Sequence, residues 1–505
     1  MTKEANNKII KNTIALYCRT AITMIVSFLT VRITLDVLGV EDYGLNNVVG
    51  SVAAMFSFLN LSMGTAVQRF FSYEIGKGNQ DNLKKVFGVG IYLHSLVALI
   101  TFIIGEIFAF GFLHMLNIPP ERLDVAMIVF QISLLSICIG IITVPYGSLL
   151  RAREEFSKYA ILDVGQAFLR LAVLFILYTI DYEKLIVLSV CNFIVSMLYI
   201  VGTVYYARKY KEAVFHYNRD KATIKQMLSF ISWLLLTVLL SLGRDNGLIL
   251  LINLFFGLTI NAAYGIAAQV MHMVSHFSSS FKQSVVPQLM SSYSSGDYER
   301  MKKLLYSGTK ITFILLMFIT MPVIFEPYFI LNILLEEVPQ YAPEFTRLVL
   351  ININISSFTY FLNQGVHATG KIKMQQFAMS SIYILNLIGV YLAFKLGYGF
   401  YSAIYVTIVC SIIQCIINIY YANKTFGLNI LDFTKSVVLP SIILCTIISI
   451  PAYLVSNLMN QSITRIIAVA LIILISITIG GYYVYMNDYE RNMCLKILHK
   501  FKVKR

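Results

Sequence analysis

The chain has 505 residues, 58% of them hydrophobic and 13% charged, with a mean hydropathy of +0.73. Soluble domains average about half apolar and about a quarter charged, so this composition leaves too little polar surface for several water-soluble domains, and it excludes disordered, collagen-like and disulfide-scaffold chains. The net charge of +14, from 40 Lys+Arg against 26 Asp+Glu, would suggest a nucleic-acid partner in a soluble protein, but the charges must first be placed against a membrane.

A spanning helix needs about 20 mostly apolar residues, and fourteen segments qualify. The first, 12–35, contains Arg19 and Arg32; it is too long for a cleavable signal peptide and lacks a small-x-small site. The second, 46–68, carries Asn46, Ser57, Asn60 and Gln68. Next come 86–113, 125–149, 159–180 and 185–207; the fifth span holds Asp163 and Arg170, seven apart on one face. The seventh, 227–255, contains Gly243-Arg244-Asp245-Asn246-Gly247. The eighth, 260–283, carries Asn261, Gly265, Gln269, His272, His276, Ser279, Ser280 and Gln283 at steps of mostly three or four, which is one helical face. The rest are 307–333, 345–366, 374–396, 399–422, 436–458 and 463–487, with Asn386 in the eleventh. Six cysteines sit within apolar stretches and Cys494 near the end; without a C-x-x-C pair they read as small hydrophobes.

Orientation follows from the basic residues, because positive loops stay cytoplasmic. With the N-terminus inside, 31 of the 40 basic residues fall on the cytoplasmic face and five outside, so both ends are expected in the cytoplasm. Four, Arg19, Arg32, Arg170 and Arg244, remain within spans. The inside face is net +19 and the outside −5, so the positive charge orients the protein and implies no nucleic acid. The linkers are too short to hold a soluble catalytic domain.

A shift of 218 residues superposes Leu38-Gly39 on Phe256-Gly257, Gly78 on Gly296 and Lys84-Lys85 on Lys302-Lys303. Further along, a shift of 216 places Leu150-Arg151-Ala152 on Val366-His367-Ala368. The shift covers six spans, so the repeat is parallel. The expected fold is an all-α polytopic membrane protein of about 14 transmembrane helices: two six-helix lobes, residues 1–210 and 211–425, plus a C-terminal pair and basic tail, 426–505.

Charges at membrane depth cost about 2.5–3.5 kcal/mol each on insertion scales and mark function by default. Arg244 and Asp245 point about 100° apart on a helix, so they are not expected to neutralise each other along one face. The bracketing glycines suggest a loosened helix lining a cavity, the alternative being an interhelical ion pair. Arg170 and Asp163 read equally as a structural pair or a ligand site, and Arg19 as snorkelling or facing substrate. Arg32 and Asp36, four apart, are explained by pairing at a helix end. The polar face of the eighth span, with Asn261, Gln269, His272 and His276, fits a wet cavity wall or small residues knitting helices together. His272 and His276 have i,i+4 spacing without an acidic third ligand, so no metal is expected. Residues 365–372 nearly spell a P-loop, but Ile372 replaces the hydroxyl and the stretch joins two spans, so no nucleotide or cofactor is expected. Nothing resembles a catalytic nucleophile with its base, so the chain does not read as an enzyme.

The opening KNTIALYCRTAITMIVSFLTVRITLDVLGVEDYGLNNVVGSV resembles the start of polysaccharide-biosynthesis membrane proteins, the O-antigen and capsule repeat-unit flippases. Leu38-Gly39 followed by Tyr43-Gly44 is similar to their L-G-x-x-x-Y-G signature, and INAAYGIAAQV at 260–270 and SSGDYERMKKL at 294–304 fit the second half. The resemblance covers the whole chain and extends to the superfamily of multidrug-and-toxin exporters, oligosaccharidyl-lipid flippases and the lipid II flippase. It implies a V-shaped pair of lobes around an alternately open cavity in the bacterial inner membrane. It also implies a lipid-linked oligosaccharide with polyprenyl diphosphate as substrate, moved from the cytoplasmic to the outer leaflet. Polysaccharide polymerase, glycosyltransferases and membrane lipids are the implied partners. Guanidinium groups pair with phosphate bidentately, so Arg19 and Arg244 are the expected diphosphate ligands, with Arg170, Asp245 and the polar face of span 8 lining the cavity. The rivals are a multidrug exporter coupled to H+ or Na+ through Asp245 and Asn386, a lipid II flippase, and a membrane glycan polymerase or ligase.

Overall fold

Long apolar stretches satisfy their backbone groups internally by coiling into helices, and the computed structural model of this chain has helices at the expected places. It describes residues 3–54, 57–112, 120–180, 182–214, 220–334, 338–485 and 491. The basic tail and Cys494 lie outside them, as do the side chains of Arg32, Ser57 and Asn60. The helices are α1 (Lys3–Ala54), α2 (Ser57–Lys77), α3 (Gln80–Phe112), α4 (Leu123–Ala152), α5 (Phe156–Leu177), α6 (Lys184–Ala207), α7 (Lys221–Ser294) and α8 (Tyr298–Phe325). There follow α9 (Pro327–Leu334), α10 (Ala342–Thr369), α11 (Lys373–Lys395), α12 (Ser402–Phe426), α13 (Ile430–Phe433), α14 (Leu439–Leu458) and α15 (Ile463–Gly480). Among the described residues, 12 helical segments are long and apolar enough to cross a membrane. The other two of the fourteen expected spans, 46–68 and 260–283, carry polar residues and are helical over 46–54, 57–68 and 260–283.

The repeat is written in the backbone. α1 and α7 start 218 residues apart, as do α3 and α8, and α6 and α12. Gly39 (φ 75°, ψ 173°) breaks α1, and Gly257 (φ 79°, ψ −174°), its mate at the same shift, breaks α7. That region of backbone space is essentially reserved for glycine. Each pair of spans expected to be separated by a loop is therefore joined through a single residue. Gly78 and Gly296, and Glu154 and Gly370 at a shift of 216, also share positive φ. Gly370 caps the C-terminus of α10, so the P-loop look-alike is a helix end.

Two compact units form: Met1–Leu239 with Gln283–Tyr298, and Leu240–Lys282 with Glu299–Arg505. In the first, α1 packs on α5 and α4, and α4 also holds α2, α3 and α6. The end of α7 meets α2 there so closely that a Cβ on Gly76 would lie 2.4 Å from the Ser291 carbonyl oxygen and 1.9 Å from Ser294 Oγ. Ser294 is the repeat mate of Gly76. In the second unit α12 packs on α10 and α11, and α14 on α15. The terminal hairpin is pinned to α8 and to the bend that follows it, through Lys310 Nζ to the Tyr485 carbonyl oxygen at 2.9 Å and Arg465 to Glu326 at 2.5 Å. Exposed Leu99, Ile103, Ile107 and Phe110 of α3 show where the apolar composition goes: onto an outer face suited to lipid.

Candidate substrate site

In the first unit, α1 and α5 bring Arg19 Nη1 to 2.9 Å from Asp163 Oδ2. Both are about four-fifths buried, with side-chain exposures of 16% and 21%. The Arg19 guanidinium also lies 5.8 Å from the Tyr159 ring centroid, and that of Arg151, from the end of α4, 5.6 Å from it. Tyr199 of α6 stands within hydrogen-bonding reach of Tyr159 and Asp163. Asp163 thus pairs with Arg19 rather than Arg170. Arg170 is exposed, with no hydrogen bond or ion pair to any described residue. Glu106 of α3 accepts from Gln131 Nε2 at 3.0 Å.

In the second unit Arg244 donates to its own neighbour, with Nη2 2.6 Å and Nε 3.0 Å from Asp245 Oδ1, and its guanidinium lies 5.0 Å from the Tyr383 ring centroid. The expectation that adjacent residues could not neutralise each other is corrected: the long arginine side chain folds round the helix to reach the carboxylate. Nor does the helix loosen at Gly243 or Gly247, since the break in α7 comes at Gly257. Gly247 instead leaves room for Leu387, which a Cβ would meet at 2.8 Å. Gln269, His272 and His276 are exposed along one face of α7, whereas Asn261 is half-buried. Asn386 is buried and donates to Thr407 Oγ1 at 3.1 Å. No group of three metal-ligating side chains occurs among the described residues.

Arg19 and Arg244 lie in different units, and each is neutralised within its own. Two features were not legible in the sequence. A cavity of about 370 Å³ lies in the first unit, lined by α4, α5 and α6 with Arg151, Tyr159 and Tyr199 in its wall. In the second unit a buried amide cluster joins Gln375 Nε2 to Asn363 Oδ1 at 2.9 Å and to Asn418 Oδ1 at 2.6 Å, and Gln376 Nε2 to His367 Nε2 at 2.9 Å. The match of Arg151 with His367 in the repeat was the one sequence signal of both.

Residues 16–180 match the MatE family. No curated protein matches the chain. Among solved structures, a mutant of the Vibrio cholerae MATE transporter VcmN superposes with a TM-score of 0.72 at 16% identity, covering 85% of this chain and 99% of that one. An outward-facing multidrug resistance MATE family transporter gives 0.72 at 10% identity over 84% and 96%. A MOP superfamily transporter from Pyrococcus furiosus, described as having a binding pocket of reverse polarity that suggests a different function, gives 0.71 at 11% over 85% and 97%. The chain therefore has the multi-pass, all-helical fold of the MATE transporters of the MOP superfamily, and its N-terminal third matches the MatE family itself.

Proposed function

We propose that this chain moves an anionic amphiphile, a polyprenyl-diphosphate-linked oligosaccharide, from the cytoplasmic to the outer leaflet by alternating access, for surface polysaccharide synthesis. On this reading residues 1–210 and 211–425 are the moving lobes, 426–505 an appended pair and tail, and both termini face the cytoplasm of the bacterial inner membrane. The observation that carries it is the charge inventory of the spans. Among the described residues, Asp163, Asp245 and Glu326 each have an arginine and the carboxylate of Glu106 accepts from Gln131, whereas Arg170 stands exposed without a counter-charge. An unpaired guanidinium at membrane depth costs about 2.5–3.5 kcal/mol, which an anionic substrate would offset. The polar face of α7, with Gln269, His272 and His276, would meet sugar hydroxyls, and polysaccharide polymerase and glycosyltransferases would hand on and supply the glycan.

A multidrug exporter coupled to H+ or Na+ is the second reading, favoured by the likeness to a multidrug resistance transporter. Coupling through Asp245, with or without Asn386, would require Arg244 to release its carboxylate. The two readings part at Arg170→Gln in proteoliposomes. Loss of lipid-linked oligosaccharide flipping, with no dye efflux in the wild type, supports the flippase. Efflux of a cationic dye that survives the substitution, without flipping, supports the exporter.

A further inference from the structure

The cavity of the first unit has a counterpart position in the second, and the two are built differently. Under the shifts of the repeat, Gly147, Arg151 and Tyr159 correspond to Asn363, His367 and Gln375, and Ile200 to Asn418. In the second unit those positions are the buried amide cluster, in which the amides hydrogen-bond one another and His367. In the first they line about 370 Å³ of space, at the lower end of the volumes of small-molecule sites. The second unit fills this position with side chains, and the first leaves it open.

The charges say which ligand. Arg19 and Arg151 both approach the Tyr159 ring, and among the described residues these two cations face one carboxylate, Asp163, which Arg19 holds at 2.9 Å and Arg151 attracts from farther off. Arg151 donates from Nη2 to Ser148 Oγ at 3.1 Å, forms no ion pair with a described residue, and its Nε is buried without a partner. A guanidinium has five donors in a planar fork suited to phosphate. Gln166, Tyr199 and Thr203 supply polar groups in the wall. We propose that this cavity binds a phosphate ester carrying a small polyol, with Arg151 as its counter-charge. Such a group is presented both by an anionic phospholipid headgroup and by a soluble glycerol phosphate.

The inference goes beyond the transport reading and is tested by binding to the purified full-length protein, so it stands or falls separately from flipping. Glycerol 1-phosphate is titrated by calorimetry into detergent-solubilised protein, and phosphatidylglycerol retained on extraction is counted by native mass spectrometry against phosphatidylcholine. Arg151→Gln should weaken binding at least about tenfold, as expected for loss of a charge-assisted hydrogen bond. Gly140→Leu should do the same without touching a charge: Gly140 lines the cavity, and a Cβ there meets nothing within 4 Å. Should Arg151→Gln fail to fold, Gly140→Leu carries the test alone. Binding of the soluble ester assigns the site to free phosphate esters, and selective retention of phosphatidylglycerol alone assigns it to a headgroup; both support the proposal. Wild-type protein that takes neither probe, or a Gly140→Leu variant that binds as the wild type does, overturns it.

Discussion

Replacing Arg19 by Gln would leave the Asp163 carboxylate about four-fifths buried with its counter-ion gone. At 2.9 Å and an effective dielectric of about 20, the gross attraction is about 6 kcal/mol, most of it offset by the cost of taking both groups out of water. Breaking a fully buried pair from one side costs about 3–5 kcal/mol, and the residual exposure of 16% and 21% softens this to about 2–3 kcal/mol. Asp163→Asn should cost a similar amount, because it strands the guanidinium. The double variant carries two neutral amides that can bond to each other, so it should lose only about 2 kcal/mol against about 5 kcal/mol for the two single losses added, a coupling of about 3 kcal/mol. Denaturant titration of the purified protein in detergent, read by near-UV circular dichroism, gives the four corners of the cycle. Single variants as stable as the wild type, or a double variant at the sum of the two losses, would refute the pairing. Transport in the same variants separates the roles. If Arg19 grips substrate rather than Asp163, the double variant regains stability but no flux.

Glycine at Gly39 and Gly257 is required by backbone geometry, so Gly257→Ala and Gly39→Ala should each cost about 1–3 kcal/mol in the same titration. Gly243→Ala, where a Cβ meets nothing within 4 Å, should be neutral or stabilising by about 0.5–1 kcal/mol; equal behaviour at all three would refute the distinction. Near the α4–α5 turn, burial raises the pKa of Glu155, but the Tyr210 hydroxyl at 2.5 Å and the Lys158 ammonium at 2.9 Å more than offset it, so the carboxyl lies below its usual value. Its contribution is present above the ordinary carboxylate pKa of about 4 and lost as pH falls through the lowered one. Tyr210→Phe should thus reduce stability at neutral pH and flatten its decline in acid; an unchanged pH profile would count against the bond.

The helices, and the glycine that breaks α1 and its mate that breaks α7, were legible because hydropathy over about 20 residues and a side chain without Cβ are local properties. Gly39 and Gly257 were visible as a matched pair, though not as single-residue breaks, since each fell between two segments taken as separate spans. The parallel repeat was legible too, from Gly78 and Gly296 and the paired lysines. Arg244 shows the opposite: its helical angle to Asp245 was read correctly, but not the reach of a flexible side chain. Arg19 and Asp163 are 144 residues apart, and nothing local to either names the other. By itself the sequence determined where the chain forms long apolar helices, that its two halves share one plan, and which charges fall within those helices. Tertiary structure alone decided which of those charges are spent on one another, leaving Arg170 without a partner among the described residues and Arg151 facing a cavity. A counter-ion is chosen by packing, and packing joins residues that sequence distance keeps apart.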